Sequence, residues 1–119
     1  MNIILQKSTI KRKSAIQITG SKSESNRLLL LQALHPEFQI ENVSNSDDSR
    51  LMMNALKSTS EIIDIHHAGT AMRFLTAFFA TQENRQIVLT GSSRMQERPI
   101  KILVDALKEL GADINYQNQ

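Results

Sequence analysis

The sequence of 119 residues predicts an α/β fold, and three observations carry that prediction. Short apolar alternations with strand character recur along the chain. At three places such an alternation, or a short apolar run, leads into a glycine, a few polar residues and an arginine, at 20–27, 66–73 and 91–98. Each of these turns then opens into a stretch with helical spacing of apolar residues. A hydrophobic content of 40% allows a real core in one modest domain. With four Phe, one Tyr and no Trp, that core must be mostly aliphatic.

Taken in order, residues 2–7 and 14–19 read as two extended segments around the basic turn Lys11-Arg12-Lys13. The cations could touch phosphate, but a solvated turn explains them more simply. Gly20-Ser21-Lys22-Ser23-Glu24-Ser25-Asn26-Arg27 follows and runs into Leu28-Leu29-Leu30-Leu31. Ser21 and Glu24 have capping-box spacing, so Ser21 is the expected N-cap. Helix amides, the Lys22 ammonium and the Arg27 guanidinium would together suit an anion. The same residues also describe a capped surface helix with solvated charges. Apolar positions 28–31, 33 and 34 predict that this helix is buried on most sides, and His35-Pro36 ends it.

Residues 38–43 alternate as a strand. Ser44-Asn45-Ser46-Asp47-Asp48 opens a second helix, whose inner face is Leu51, Met52, Ala55 and Leu56. Asp47 and Asp48 complement a helix dipole more readily than they form a catalytic pair. Met52 and Met53 read as core filling. Glu61–Ile65 is a strand that delivers His66-His67-Ala68-Gly69-Thr70-Ala71-Met72-Arg73. A helix over 71–80 should bury Ala71, Phe74, Leu75, Phe78 and Phe79. The adjacent histidines have no partner at helical spacing, and in extended chain they point to opposite faces, so no metal site is expected.

Residues 84–86 are a turn and 87–89 a strand, before the third glycine turn. Pro99 suits the first position of a last helix. Ile100, Leu103, Val104, Leu107 and Leu110 line that helix, Lys101 and Asp105 form an i,i+4 pair, and Gly111 closes it. Residues 112–116 read as a short strand and 117–119 as a frayed end.

Composition excludes several function classes. Fourteen Lys and Arg against 12 Asp and Glu leave a charge of +2, too little for a broad nucleic-acid field. No cysteine is present, which removes disulfides, thiolate chemistry and cysteine zinc sites. No apolar run reaches the length of a membrane span, and the first residues lack a signal-peptide pattern. A cytoplasmic protein with no nucleic-acid or membrane partner is the expectation. Neither a dinucleotide nor a Walker glycine motif occurs. If the three turns open on one side, their glycines, helix starts and cations converge on a phosphorylated small molecule.

Four ordered motifs carry a resemblance. They are Gly20-Ser21-Lys22-Ser23 with Ser25-Asn26-Arg27, Ser46-Asp47-Asp48, Ala68-Gly69-Thr70-Ala71-Met72-Arg73, and Arg94-Met95 with Glu97-Arg98-Pro99-Ile100. Val104-Asp105-Ala106-Leu107 and Gly111-Ala112 continue them. These stretches resemble the 3-phosphoshikimate 1-carboxyvinyltransferase (EPSP synthase) family of the shikimate pathway, which leads to the aromatic amino acids. The resemblance implies a partial inside-out α/β barrel built of βαβαββ-type units. It implies transfer of the enolpyruvyl group of phosphoenolpyruvate to the 5-hydroxyl of shikimate 3-phosphate, through a tetrahedral intermediate, with release of phosphate and no cofactor or metal. By matching position, Lys22, Ser23 and Arg27 would bind shikimate 3-phosphate, and Lys22, the backbone at Gly69 and Arg94 would bind phosphoenolpyruvate. No catalytic acid or base is assigned; Glu97, Asp47 and Asp48 are the nearest carboxylates on offer.

The chain departs from the family pattern in places. His67 stands where the family commonly has Asn, and Phe74 where it commonly has Pro, a position linked to the shape of the phosphoenolpyruvate and glyphosate pocket. The connection between Leu56 and Ile62 is shorter than usual. The chain also stops after the first part of the pattern. The expectation is therefore residues 1–119 as an N-terminal part of such an enzyme, inactive alone, whose partner is the missing C-terminal remainder. Within it, 1–19 would be strand segments assignable to the other domain and 20–119 a partial substrate-binding domain. Alternatives are a relative of the UDP-N-acetylglucosamine enolpyruvyl transferase and a non-catalytic anion-binding fragment.

Overall fold

A computed structural model describes residues 1–117. The tail at 118–119, read with Gln117 as a frayed end, lies outside the described residues. Helix α1 spans Lys22–Leu34, α2 Asp47–Lys57, β1 Ile62–Asp64, α3 Gly69–Ala80, β2 Val88–Thr90, α4 Ser93–Gln96 and α5 Lys101–Glu109. Mixed helix with a small sheet agrees with the α/β class. The sheet is one parallel pair, with Ile62 opposite Val88, Ile63 opposite Leu89 and Asp64 opposite Thr90. Parallel neighbours need a crossover, and α3 supplies it.

The core explains why the middle of the chain folds. Helix α3 contributes Ala71, Leu75, Phe78 and Phe79, all buried, and α2 contributes Met52 and Ala55. On β1, Ile63 is buried while Ile62 on the other face is exposed, the alternation of a sheet covered on one side. Leu29 of α1 and Met95 of α4 complete the cluster. Phe74, expected inside, is only half-buried at its rim.

Side chains and backbone close the helices as the residue types dictate. Ser21 Oγ accepts from Glu24 N at 3.4 Å and caps α1. Ser46 Oγ accepts from Ser49 N at 3.3 Å, with Asp47 and Asp48 in the first turn of α2. At the end of α5, Gly111 N donates to Lys108 O and Ala112 N to Leu107 O, with Gly111 at φ 99°. That is a Schellman closure, and the left-handed backbone is why glycine stands there.

Several expectations need correction. The segments 2–7, 14–19, 38–43 and 112–116 form no strands. A strand exists only with a ladder partner, and among the described residues none lies beside them. Ile16 is 85% exposed as a result. The basic turn does form at residues 12 and 13, with Ser14 Oγ donating to Lys11 O at 2.7 Å. Helix α1 is buried along one face only, through Ser25, Asn26 and Leu29, while Leu31 is 45% exposed. Its apolar ring outnumbers the two helices it meets, α2 and α3.

The third helix starts at Gly69 rather than at residue 71. His66 and His67 stand in a tight turn rather than in extended chain, with His66 at φ 49°. Before the last helix, Ser92 caps an additional helical turn, α4. Pro99 consequently precedes the Ile100 cap of α5 instead of taking its first position. Of the five apolar residues expected on that helix, Val104 alone is buried, and Leu110 is exposed because α5 meets little beyond α3.

Candidate functional site

The parallel register of β1 and β2 makes two of the three glycine turns neighbours. Ile65 N donates to Thr90 O at 3.0 Å, and Ser92 N donates to His66 O at 2.8 Å. Both chains therefore leave the same edge of the sheet, one into α3 and the other into α4. Glycine is required at 91 for this approach: a Cβ there would stand 2.6 Å from His66 O and 2.8 Å from Met95 Cγ. His66 is held in its turn by Asp64, whose Oδ1 accepts from His66 N at 2.8 Å.

Guanidinium groups gather where α3 begins. A Cβ built on Gly69 would lie 2.2 Å from Arg98 Nη1, so the Arg98 side chain occupies the space that glycine leaves. Arg73, one turn into α3, donates from Nη1 to Gly69 O at 3.2 Å and reaches Pro99 O with Nη2 at 3.5 Å. No acidic residue stands in the first turn of α3, and no side chain caps it. A helix start beside cations that enter no ion pair among the described residues favours an anion.

The first turn joins this region by side chains. Asn26, fully buried, donates from Nδ2 to Asp48 Oδ1 at 2.8 Å and accepts at Oδ1 from Ser49 Oγ at 2.8 Å. Ser25 Oγ accepts from Ser44 N at 2.9 Å. These bonds lock the start of α1 to the start of α2. Arg27 donates from Nη1 to Ser23 O at 2.8 Å, and its Cζ lies 5.5 Å from the ring centre of Phe74 on α3. Arg27 thereby reaches the helix that begins at Gly69.

Lys22, Ser23, Arg27 and Arg94 are exposed and Gly69 is buried. Among the described residues, neither Lys22 nor Arg94 enters an ion pair. Two concavities lie elsewhere. One of about 380 Å³ is lined by Asp47, Arg50, Leu51, Asn54, His66 and His67. The other, about 170 Å³, lies between Gly20, Ser21, Glu24, Ser25 and Leu28 on one side and Ile40, Glu41 and Asn42 on the other. None of the residues expected to bind substrate lines the first, and of their turns only that at 20–27 borders the second.

Sequence reasoning passed over two contributors. Arg98 was part of a quoted motif without a role, yet its guanidinium meets Gly69; the second arginine of the third turn was the available signal. Phe74 is expected in the core and, by resemblance, at a position linked to the phosphoenolpyruvate pocket, and nothing in its helical spacing indicates a guanidinium over its ring. Among the described residues, no three His, Asp or Glu side chains come together as a metal-binding group. No described helix is long and apolar enough to cross a membrane.

Comparison with known proteins supplies the family. A family model described as EPSP synthase (3-phosphoshikimate 1-carboxyvinyltransferase) matches residues 7–64 and 57–119. A 3-phosphoshikimate 1-carboxyvinyltransferase of Bacteroides fragilis is 50% identical over 105 residues, covering 87% of this chain and 25% of the relative. That of Mannheimia haemolytica is 42% identical over 130 residues, covering 85% and 30%. A pentafunctional AROM polypeptide of Lachancea thermotolerans is 39% identical over 132 residues, covering 84% of this chain and 8% of the relative. The chain thus spans 25% to 30% of the length of the two single-function relatives.

Proposed function

The chain belongs to the EPSP synthase (3-phosphoshikimate 1-carboxyvinyltransferase) family, and we propose that it supplies one side of the substrate site of such an enzyme. The reaction joins the enolpyruvyl group of phosphoenolpyruvate to the 5-hydroxyl of shikimate 3-phosphate. The hydroxyl oxygen gives up its proton as it bonds to the enol carbon, and the methylene carbon takes a proton, so the addition is proton-neutral. The resulting tetrahedral adduct then loses that carbon's proton and its phosphate.

Within this reading Lys22, Ser23 and Arg27 hold the phosphate of shikimate 3-phosphate, and Lys22, the Gly69 backbone and Arg94 hold phosphoenolpyruvate. Charge-assisted hydrogen bonds of this kind are the strong ones. Their task would be to keep two anionic esters close despite mutual repulsion, and to stabilise the charge that grows on the departing phosphate. The observation that carries the reading is the shared sheet edge from which the turns at 66–73 and 91–98 leave, with Arg98 against Gly69. The partial inside-out barrel belongs to the same proposal, with residues 1–19 pairing in the other domain and 20–119 forming part of the substrate-binding domain. The apolar alternation of the unpaired 1–19 segment supports that assignment.

Titrating the chain with shikimate 3-phosphate, followed by NMR, tests the substrate reading. Resonances of the 20–27 turn should shift with shikimate 3-phosphate and stay in place with UDP-N-acetylglucosamine. The reverse pattern would move the assignment to the sister transferase. With both substrates present, the chain alone should release no phosphate; turnover near or above about 1 per second, the ordinary enzyme range, would refute its being one side of a larger site.

A further inference from the structure

Two guanidinium groups in this protein lie over phenylalanine rings, and they differ in what they do with their donors. Arg85 sits 5.1 Å from the ring centre of Phe79, is half-buried, and gives a hydrogen bond to Ser58 O. It ties the turn before β2 to the end of α2, which is a structural task. Arg27 sits 5.5 Å from the ring centre of Phe74, is exposed, and gives one hydrogen bond back to Ser23 O in its own helix. Its other N–H groups make no hydrogen bond among the described residues.

Resting on the assignment of Arg27 to a phosphate ester above, we propose that Phe74 is the positioning residue for Arg27, holding its guanidinium ready for that anion. An exposed arginine samples many rotamers, and ordering it opposes binding. A ring 5.5 Å from Cζ and a carbonyl bonded to Nη1 remove part of that freedom beforehand. The ring contact and the bond to Ser23 O use part of the group, and a guanidinium has five N–H donors, so donors remain for a phosphate. The ring itself is steadied by its contact with the core cluster at the foot of α3. A leucine at 74 would fill similar space there but offers no π face.

Affinity measured on the whole chain tests this, with shikimate 3-phosphate and inorganic phosphate as separate probes. Phe74→Leu should weaken shikimate 3-phosphate binding about two- to fivefold, the range of an exposed cation–π contact. Phe74→Trp should keep or improve it. In an Arg27→Ala background, Phe74→Leu should change nothing. Unfolding midpoints taken alongside identify a general loss of packing, which Trp would not rescue. Unchanged affinity in Phe74→Leu, or a loss that persists without Arg27, overturns the proposal. If shikimate 3-phosphate binds no tighter than inorganic phosphate, the substrate reading fails. Phosphate affinity that follows the same pattern of variants would then still support the role of Phe74. Binding of neither probe overturns both.

Discussion

The first glycine turn and the later two share one sequence grammar but are built differently. At 66–73 and 91–98 the turns hang from paired backbone: β1 and β2 run parallel, and Ser92 N bonds His66 O. At 20–27 no strand precedes the glycine, because residues 14–19 have no partner among the described residues. Its position comes instead from buried side chains, chiefly Asn26 with Asp48 and Ser49, and Ser25 with Ser44 N. One local pattern can therefore be anchored by a ladder or by a polar network. The network concentrates the anchoring in a few replaceable groups.

That difference predicts an order of effects. Asn26→Ala should be the most damaging change, since it leaves the buried Ser49 hydroxyl without its acceptor and the half-buried Asp48 without its amide donor. A loss of roughly 2–4 kcal/mol is expected from one buried donor left unpaired and one lost bond to a carboxylate, read as a lower urea midpoint. A loss below about 1 kcal/mol would mean that the first turn is held by something else.

Glycine substitutions come next and separate the turns. Gly20→Ala would push a methyl to 2.1 Å from Asn42 O, and Gly91→Ala to 2.6 Å from His66 O, both backbone atoms. Each should lower stability by about 1–3 kcal/mol, because the main chain must move. Gly69→Ala meets the far end of Arg98, a side chain that can swing away. Its effect on the unfolding midpoint should stay under about 1 kcal/mol. The Arg98 side-chain NMR signal, however, should shift. A large destabilisation there would show that Arg98 is fixed rather than yielding.

The smallest effect is expected outside all three turns. A hydrogen bond from Lys101 to Asp105, with the carboxylate's charge, holds the Lys101 ammonium above its ordinary range. The folded state then binds that proton more tightly, so any stabilisation is present at neutral pH and is lost as pH rises through the folded value. The pair lies at the surface with Lys101 exposed, so Lys101→Met should leave the midpoint at pH 7 unchanged within error. A measurable drop would show that surface pairing on α5 supports its thin contact with α3.

Reading the residues without coordinates located all of the long helices, since capping groups and apolar spacing act within a few residues. Ser21, Ser46 and Gly111 do in the structure what their types dictate. The same holds for the strands near Ile63 and Leu89, which happen to have each other. Boundaries drifted where a local preference was weaker than a neighbour's demand. Gly69 opens its helix early in a turn that Ser92 holds through His66 O, and Ser92 caps an additional turn that leaves Pro99 outside the last helix. The four motifs also carried the family, because they record residue types in order.

By itself, then, the sequence determined the places of the long helices, the caps at Ser21, Ser46 and Gly111, the α/β class and the family. Tertiary structure alone decided which apolar segments become strands, which face of α1 is covered, that Arg98 lies on Gly69 and that Phe74 lies under Arg27. The physical reason is range. Caps and helical spacing are satisfied by neighbours in sequence, whereas a ladder, a buried face and a stacked guanidinium each need a partner tens of residues away.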